Sequence, residues 1–169
     1  MTAFWRWRSM RTGDIDRVVP LADTLFPDHP EDAARFAERL ERGGGLCLTL
    51  AADDSARIAG YAIAYPWPLD HIPPLNRPLA APSGPSGAIY LHDLGVHPEV
   101  SDAGHAGAAL ALLRERARAS GASAIALVAV NGSAGFWEAR GFAARPVSAP
   151  VASKLASYGT DARYLVARL

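Results

Sequence analysis

Hydrophobic and polar residues change their period several times along the 169-residue chain, and each change predicts an element. Residues 4–8, FWRWR, alternate apolar and basic side chains, which is typical of a half-buried edge strand. Residues 12–26 repeat apolar side chains at helical spacing, although Pro20 is expected to kink or split that helix. A second helix is predicted from Pro30 to a glycine stop at Gly43.

The next apolar runs predict a hairpin followed by a β-α-β unit. LCLTLAA and RIAGYAIAY flank the turn DDSA, which favours two antiparallel strands. A strand at 89–96, a helix at 104–120 and a strand at 124–130 predict two parallel strands joined by a right-handed crossover. The remaining predicted elements are a short helix at 133–140, a strand at 141–147, a loop through Tyr158 and a final strand at 162–169. The pattern therefore predicts an α/β fold with a mixed sheet.

The segment 66–88 differs in composition from the rest of the chain. It holds seven of the 13 prolines. Because proline lacks a backbone donor, we expect no regular helix or central strand there. A loop of this length in a compact domain is usually functional or disordered. Its apolar residues, which include Trp67, Ile72 and Leu75, favour a lid or substrate loop, and the alternative is an idle surface insertion.

Composition narrows the class of protein. The length suits one domain, residues 1–169. The 17 basic and 17 acidic residues cancel, which argues against nucleic-acid binding. No apolar run is as long as a membrane span and the N-terminus does not resemble a signal peptide, so we expect a cytoplasmic protein without membrane contact. The single cysteine, Cys47, excludes an internal disulfide, and His29 and His71 lack partners at metal-ligand spacing, so no metal is expected.

The loop SDAGHAG, residues 101–107, lies between the predicted strand 89–96 and the predicted helix 104–120. Small side chains in front of a helix N-terminus let phosphate oxygens approach the backbone N–H groups. The Gly-Lys pair of a Walker loop and the G-x-G-x-x-G fingerprint are both absent from the chain. Glycine and alanine also begin helices that bind no ligand, so the spacing alone leaves both interpretations open.

Two motifs resemble those of the GNAT (Gcn5-related) N-acetyltransferase family. DLGVHPEVSDAGHAGAALALL, residues 93–113, is similar to the family's acetyl-CoA segment, and FWEARGF, residues 136–142, is similar to its F-Y-E-x-x-G-F motif. The resemblance implies the acyl-CoA N-acyltransferase fold. This fold has a mixed six- to seven-stranded sheet, splayed central parallel strands and about four flanking helices.

The resemblance also implies acetyl-CoA as cosubstrate and assigns residues to it. The backbone of Leu94, Gly95 and Val96 would pair with the pantetheine arm, and an N–H there could hold the thioester oxyanion. The other implied cofactor-binding residues are Ala103, Gly104, His105, Ala106, Gly107, Asn131, Phe136 and Trp137.

Two residues of the loop depart from the family pattern. Ser101 stands where the family has Arg or Gln, and Asp102 stands where Gly is common. A carboxylate roughly 5–6 Å from a phosphate charge costs about 3 kcal/mol at an effective dielectric of 20. Asp102 could instead cap the following helix. We therefore expect weakened binding of acetyl-CoA.

The amine that would accept the acetyl group needs a base beside it, because an alkylamine is almost wholly protonated at pH 7 and must lose a proton before it attacks. Strand alternation places Tyr90, His92, Leu94 and Val96 on one face and Asp93 on the other. His92 is the candidate base because imidazole titrates near neutral pH. Tyr90, on the same face of the predicted strand, is a second candidate catalytic residue. A bulge near Leu94 would exchange the roles of His92 and Asp93.

The general acid is harder to assign, because Trp137 occupies the place of the family's usual tyrosine. Tyr158 is the candidate replacement. The sequence thus predicts an N-acetyltransferase that acts by direct attack of a primary amine of a small molecule or peptide. The alternative, favoured by Ser101, Asp102 and Trp137, is a non-catalytic CoA-binding or interaction domain. The family resemblance is also compatible with a homodimer.

Overall fold

A mixed sheet forms the centre of the molecule. The computed structural model describes residues 3–53, 56–80 and 86–169. The strands in these ranges are β1 (Trp5–Ser9), β2 (Leu48–Ala52), β3 (Ile58–Trp67), β4 (Ala88–Val96), β5 (Ala124–Ala129), β6 (Ala143–Ala144) and β7 (Arg163–Arg168). Their order is β1-β2-β3-β4-β5-β7-β6, with β4 and β5 parallel and the other neighbours antiparallel. The predicted α/β fold with a mixed sheet is confirmed.

Helices cover both faces of this sheet. The α-helices of the described residues are α1 (Ile15–Leu25), α2 (Ala33–Gly43), α3 (His105–Ala119), α4 (Ala134–Glu138) and α5 (Ala149–Ala156). Short 3₁₀-helices cover Thr12–Asp14, Gly44–Leu46 and Pro98–Ala103. Along β3, Tyr61, Ile63 and Tyr65 pack with α1 and α2, whereas Ala62 and Ala64 pack with α3. The sheet therefore separates two hydrophobic cores, in which each fully buried large side chain contributes about 1.5–3 kcal/mol.

The parallel strands β4 and β5 separate after a short contact. They pair only from Ala88 to Tyr90 on β4 and from Ala124 to Ala126 on β5. Beyond this point β4 continues to pair with β3, and β5 continues to pair with β7 as far as Ala129. The expected splay is confirmed, and it opens a gap in the middle of the sheet.

Three local predictions differ from the structure. Pro20 lies within α1, which runs on without a break, so the predicted split of this helix is wrong. The predicted loop before Tyr158 contains α5, whose Pro150 stands in the first helical turn, where a missing N–H costs nothing. Strand β3 continues through Pro66. Because β2 pairs with β3 only as far as Ala62, this end of β3 is an edge that tolerates proline.

The rest of the proline-rich segment packs against the protein as far as it is described. Ile72, Pro73 and Leu79 are buried, and residues 81–85 lie outside the described residues. The turn DDSA also falls partly outside, at residues 54 and 55. No helix in the described ranges is long and apolar enough to cross a membrane, and a cytoplasmic location stays a prediction.

Candidate active site

The gap between β4 and β5 opens into a cavity of about 470 Å³. Its wall is built from both cores, so the cavity reaches both faces of the sheet. On the α1 side the lining residues are Leu25, Phe26, His29, Leu75, His92, Asp93, Val128, Val130 and Tyr158; on the α3 side they are Leu91, Leu94, Val96, Ser101, Ala106, Leu127, Asn131, Ser133, Phe136 and Trp137.

A β-bulge in β4 determines which side chains face α1. The pairing with β3 passes from Asp93–Ile63 directly to Leu91–Ala64, so His92 is the extra residue. As a result His92 and Asp93 both lie on the α1 side, where Tyr65 and Tyr61 contact them. Leu94 packs in the opposite core. The alternation expected from the sequence is therefore wrong for Asp93, Leu94 and Val96, because a bulge reverses the facing of every later residue.

His92 is held by a buried network. Its Nε2 lies 2.5 Å from Oε1 of Glu31, and its Nδ1 lies 3.2 Å from the hydroxyl of Tyr65. Because a carboxylate only accepts, Nε2 donates to Glu31, and Nδ1 shares a hydrogen bond with Tyr65 whose direction depends on the charge of the ring. The side chain of His92 is 2% exposed although the residue as a whole is half-buried, so its main chain is the part that meets the cavity.

Glu31 connects His92 to a buried arginine. Its Oε2 lies 3.0 Å from Nη2 of Arg39 and accepts the N–H of Asn76 at 3.0 Å. The side chains of Glu31 and Arg39 are 4% and 2% exposed. Burial alone would raise the pKa of Glu31, but the hydrogen bond of His92 and the charges of His92 and Arg39 outweigh it. The pKa of Glu31 therefore lies below its usual value, and this carboxylate stays charged.

Asp93 offers a second carboxylate at the cavity wall. The hydroxyl of Tyr61 donates to its Oδ2 at 3.1 Å. Burial raises the pKa of Asp93 above that of an ordinary aspartate, although the charge of His92 opposes the shift. A carboxylate with a raised pKa that borders a cavity is suited to accept a proton from a bound ligand.

Glu31, His92 and Asp93 are also the group that could hold a metal ion. One ligand atom of each lies within 4.8 Å of the others. However, Arg39 already neutralises Glu31, and Tyr61 already bonds Asp93. These bonds give the cluster the arrangement of a hydrogen-bonded network, and the expectation of no metal stays a prediction.

Beyond the bulge, the backbone of β4 faces the gap at alternate residues. The N–H of His97 donates to the carbonyl of Ala59 on β3 at 2.7 Å. Because N–H groups alternate in direction along a regular strand, the amides of Leu94 and Val96 point away from β3 into the gap. Gly95 faces its partner Tyr61 on β3 instead. Two of the three residues expected to pair with a cofactor arm thus present their backbone to the gap.

Residues 101–107 run from the end of the 3₁₀-helix Pro98–Ala103 through Gly104 into α3. Gly104 adopts φ +75°, a conformation that favours glycine, and α3 begins at His105. The first helical hydrogen bond runs from the N–H of Ala108 to the carbonyl of Gly104, so the amides of residues 105–107 have no partner within the helix. Asp102 is exposed and α3 has no side-chain cap, so Asp102 does not cap this helix.

The other sequence-predicted residues are distributed unevenly around the cavity. Asn131, Phe136 and Trp137 line it on the α3 side, and Tyr158 lines it on the α1 side. The hydroxyl of Tyr158 donates to the carbonyl of Pro73 at 2.5 Å, and burial raises the pKa of this phenol. Tyr90 is buried beneath the ring of His92 and is not among the described residues that line the cavity.

The residue pattern over most of the chain matches a known family. A family model described as "Acetyltransferase (GNAT) family" matches residues 7–142. The chain belongs to this family. GNAT proteins are acyltransferase enzymes. No match to this GNAT chain was found among curated proteins.

Solved structures support the same fold. Ard1 from Thermoplasma volcanium is 12% identical with a TM-score of 0.73, over 98% of this chain and 97% of that chain. The NatC complex bound to Gag peptide and CoA is 15% identical with a TM-score of 0.72, over 98% of each chain. The ribosomal-protein-S18-alanine N-acetyltransferase from Escherichia coli is 18% identical with a TM-score of 0.67, over 98% of this chain and 94% of that chain.

The sequence did not reveal Glu31 and Arg39 as part of this GNAT site. Glu31 precedes α2 and lies 61 positions from His92, and Arg39 lies among the many charged residues of α2. The one available signal was that Arg39 shares a helical face with Phe36 and Gly43, because an arginine on the buried face of a helix needs a carboxylate partner.

Proposed function

We propose that this chain is an N-acetyltransferase, with residues 1–169 as one GNAT-type domain. It transfers the acetyl group of acetyl-CoA to a primary amine of a small molecule or peptide by direct attack. The observation that carries the proposal is the cavity through the sheet at the β4–β5 gap. Two substrates that enter from opposite faces would meet beside β4, as direct transfer requires.

Acetyl-CoA would supply the thioester from the α3 side. Leu94 and Val96 would pair with its pantetheine arm, and one of their gap-facing N–H groups would hold the oxyanion. The backbone of residues 103–107 would bind the pyrophosphate at the start of α3, a helix of 15 residues. Asn131, Phe136 and Trp137 would line the same side of the cavity.

Asp93 is the group best placed to take the amine proton. Tyr61 engages one of its oxygens, and the side chain belongs to the cavity wall on the α1 side. His92, the base predicted from the sequence, has both ring nitrogens hydrogen-bonded, so one bond must open before it takes a proton. We therefore assign the proton transfer to Asp93, and we assign to His92 and Glu31 the positioning of the bulge that presents Asp93.

Tyr158 is the candidate acid for the departing thiolate. It lies at the cavity, and its proton would have to leave the carbonyl of Pro73. Because its raised pKa keeps the phenol protonated at neutral pH, Tyr158 retains a proton to donate. Tyr90 has no direct part in this proposal because it is buried below His92.

Binding and turnover test the proposal separately. Acetyl-CoA at 100 times its dissociation constant stabilises a binding protein by about 2.7 kcal/mol, which thermal unfolding detects. Thiol release with a panel of amines then measures transfer. Binding without release for any amine would instead favour the non-catalytic CoA-binding domain, for which Ser101, Asp102 and Trp137 are the supporting observations.

Substitution identifies the base. Asp93→Asn removes the proton acceptor but keeps the shape of the side chain, and we expect kcat/KM to fall by about 10²–10⁴-fold. Because burial raises the pKa of Asp93, wild-type activity should rise with pH through a value above that of an ordinary aspartate. If His92→Gln abolishes transfer and Asp93→Asn does not, His92 is the base instead.

A further inference from the structure

We propose that the acceptor is a primary amine that carries an apolar group and no carboxylate. This inference rests on the proposed acetyl transfer and narrows its second substrate. It comes from the α1 side of the cavity, where the charge of the wall and its apolar surface together define what can bind.

The apolar surface is formed by Leu25, Phe26 and Leu75. Phe26 is held edge-on against Tyr61, with ring centroids 6.4 Å apart. Gly95 lets this wall close on β4, because a Cβ there would lie 2.7 Å from Leu25 and 3.0 Å from Phe26. An alkyl or aryl group of the acceptor would replace water against these side chains.

The charge of the wall favours a cation. Asp93 contributes a carboxylate, and no arginine or lysine is among the described residues that line the cavity. Arg39 lies behind Glu31, bonds the carbonyl of Pro74 at 3.2 Å and is 2% exposed, so it is committed to the protein. An ammonium group therefore finds a counter-ion in Asp93.

A carboxylate on the acceptor would find no such partner. Nε2 of His29 donates to the carbonyl of Tyr158 at 2.9 Å, so its buried Nδ1, which has no partner among the described residues, is an acceptor in the neutral ring and cannot pair with a carboxylate. Both nitrogens of His92 are engaged. An amino acid would also bring its carboxylate close to Asp93, and two like charges repel strongly beside an apolar wall, where the effective dielectric is low. Free α-amino acids should thus be poor acceptors.

Three amines that share the 3-methylbutylamine framework test this inference: 3-methylbutylamine itself, leucine, which adds a carboxylate, and leucinamide, which adds a neutral amide. Thiol release at saturating acetyl-CoA should give 3-methylbutylamine at least a tenfold higher kcat/KM than leucine. Leucinamide, which lacks the negative charge, should recover most of the difference. Methylamine should be poor, because it leaves the apolar wall in contact with water.

A charge substitution at the wall gives a second test. Leu75→Arg supplies the missing cation and should reduce the preference for 3-methylbutylamine over leucine at least fivefold. Leu75→Met, which has similar length and no charge, should keep the preference. Circular dichroism confirms that both variants are folded.

The outcomes separate this inference from the proposed function. If leucine, glutamate or a peptide N-terminus is acetylated well while 3-methylbutylamine is not, the apolar-amine inference is wrong and the N-acetyltransferase stands. If no amine, free or peptide-bound, releases thiol from acetyl-CoA, both proposals are wrong.

Discussion

Substitutions in the buried ion pair of Glu31 and Arg39 allow its effect on stability to be distinguished from its effect on catalysis. Glu31→Gln keeps the shape of the side chain but leaves a guanidinium that is 2% exposed without the carboxylate 3.0 Å away. Breaking a buried ion pair by removing one partner costs about 3–5 kcal/mol. The carbonyls of Pro74 and Arg35 still accept from Arg39, and Glu38 lies 3.8 Å from it. These contacts place the expected loss near the lower end, about 3 kcal/mol.

Urea unfolding at pH 7 measures this loss as a lower midpoint at an unchanged slope. The control is the double variant Glu31→Gln/Arg39→Met, which removes both charges. We expect it to recover most of the stability, because neither group is left buried without a partner. Its transfer activity should stay low, since His92 has lost the carboxylate that orients its ring. A loss below about 1 kcal/mol for Glu31→Gln would contradict this expectation. So would a double variant whose loss equals the sum of the losses of Glu31→Gln and Arg39→Met measured separately.

Three further substitutions follow from the structure. The hydrogen bonds of Arg8 lower the pKa of Asp14 from 3.8 to about 2, so Asp14→Asn should cost about 2 kcal/mol of unfolding free energy at pH 7. The stabilisation by the Asp14 carboxylate is complete above pH 4 and is lost as the pH falls toward 2. The urea midpoints of wild type and Asp14→Asn should therefore converge near pH 2. Gly95→Ala should push Leu25 and Phe26 away from β4 and raise KM for the acceptor several-fold, measured by thiol release, while KM for acetyl-CoA changes less. Asp102→Asn should lower the Kd of acetyl-CoA, measured by calorimetry, about two- to tenfold in dilute buffer. The difference should be smaller in high salt, because ions screen an exposed charge. Equal Kd values at low salt would show that Asp102 does not repel the ligand.

The pattern of apolar runs and two short motifs predicted most of the strands and helices of this protein. The hairpin β2–β3 and the parallel pair β4–β5 follow from apolar runs that local turns and a crossover helix separate. The motif FWEARGF contributes Phe136 and Trp137 to the cavity wall, and their contact with the cofactor stays a prediction. These features depend on residues that are close in sequence, so one segment carries the information for each of them.

The sequence by itself therefore determined the mixed sheet, and its family resemblance implied the gap between β4 and β5. Only the tertiary structure decided which side chains meet there. The bulge at His92 exists because β3 and β4 pair with one extra residue on β4, and the alternation of β4 alone does not show it. Likewise Glu31, Arg39 and Asn76 reach one another from three separate segments. Burial makes each of these charges depend on a partner that is distant in sequence, and that dependence arises only when the chain is packed.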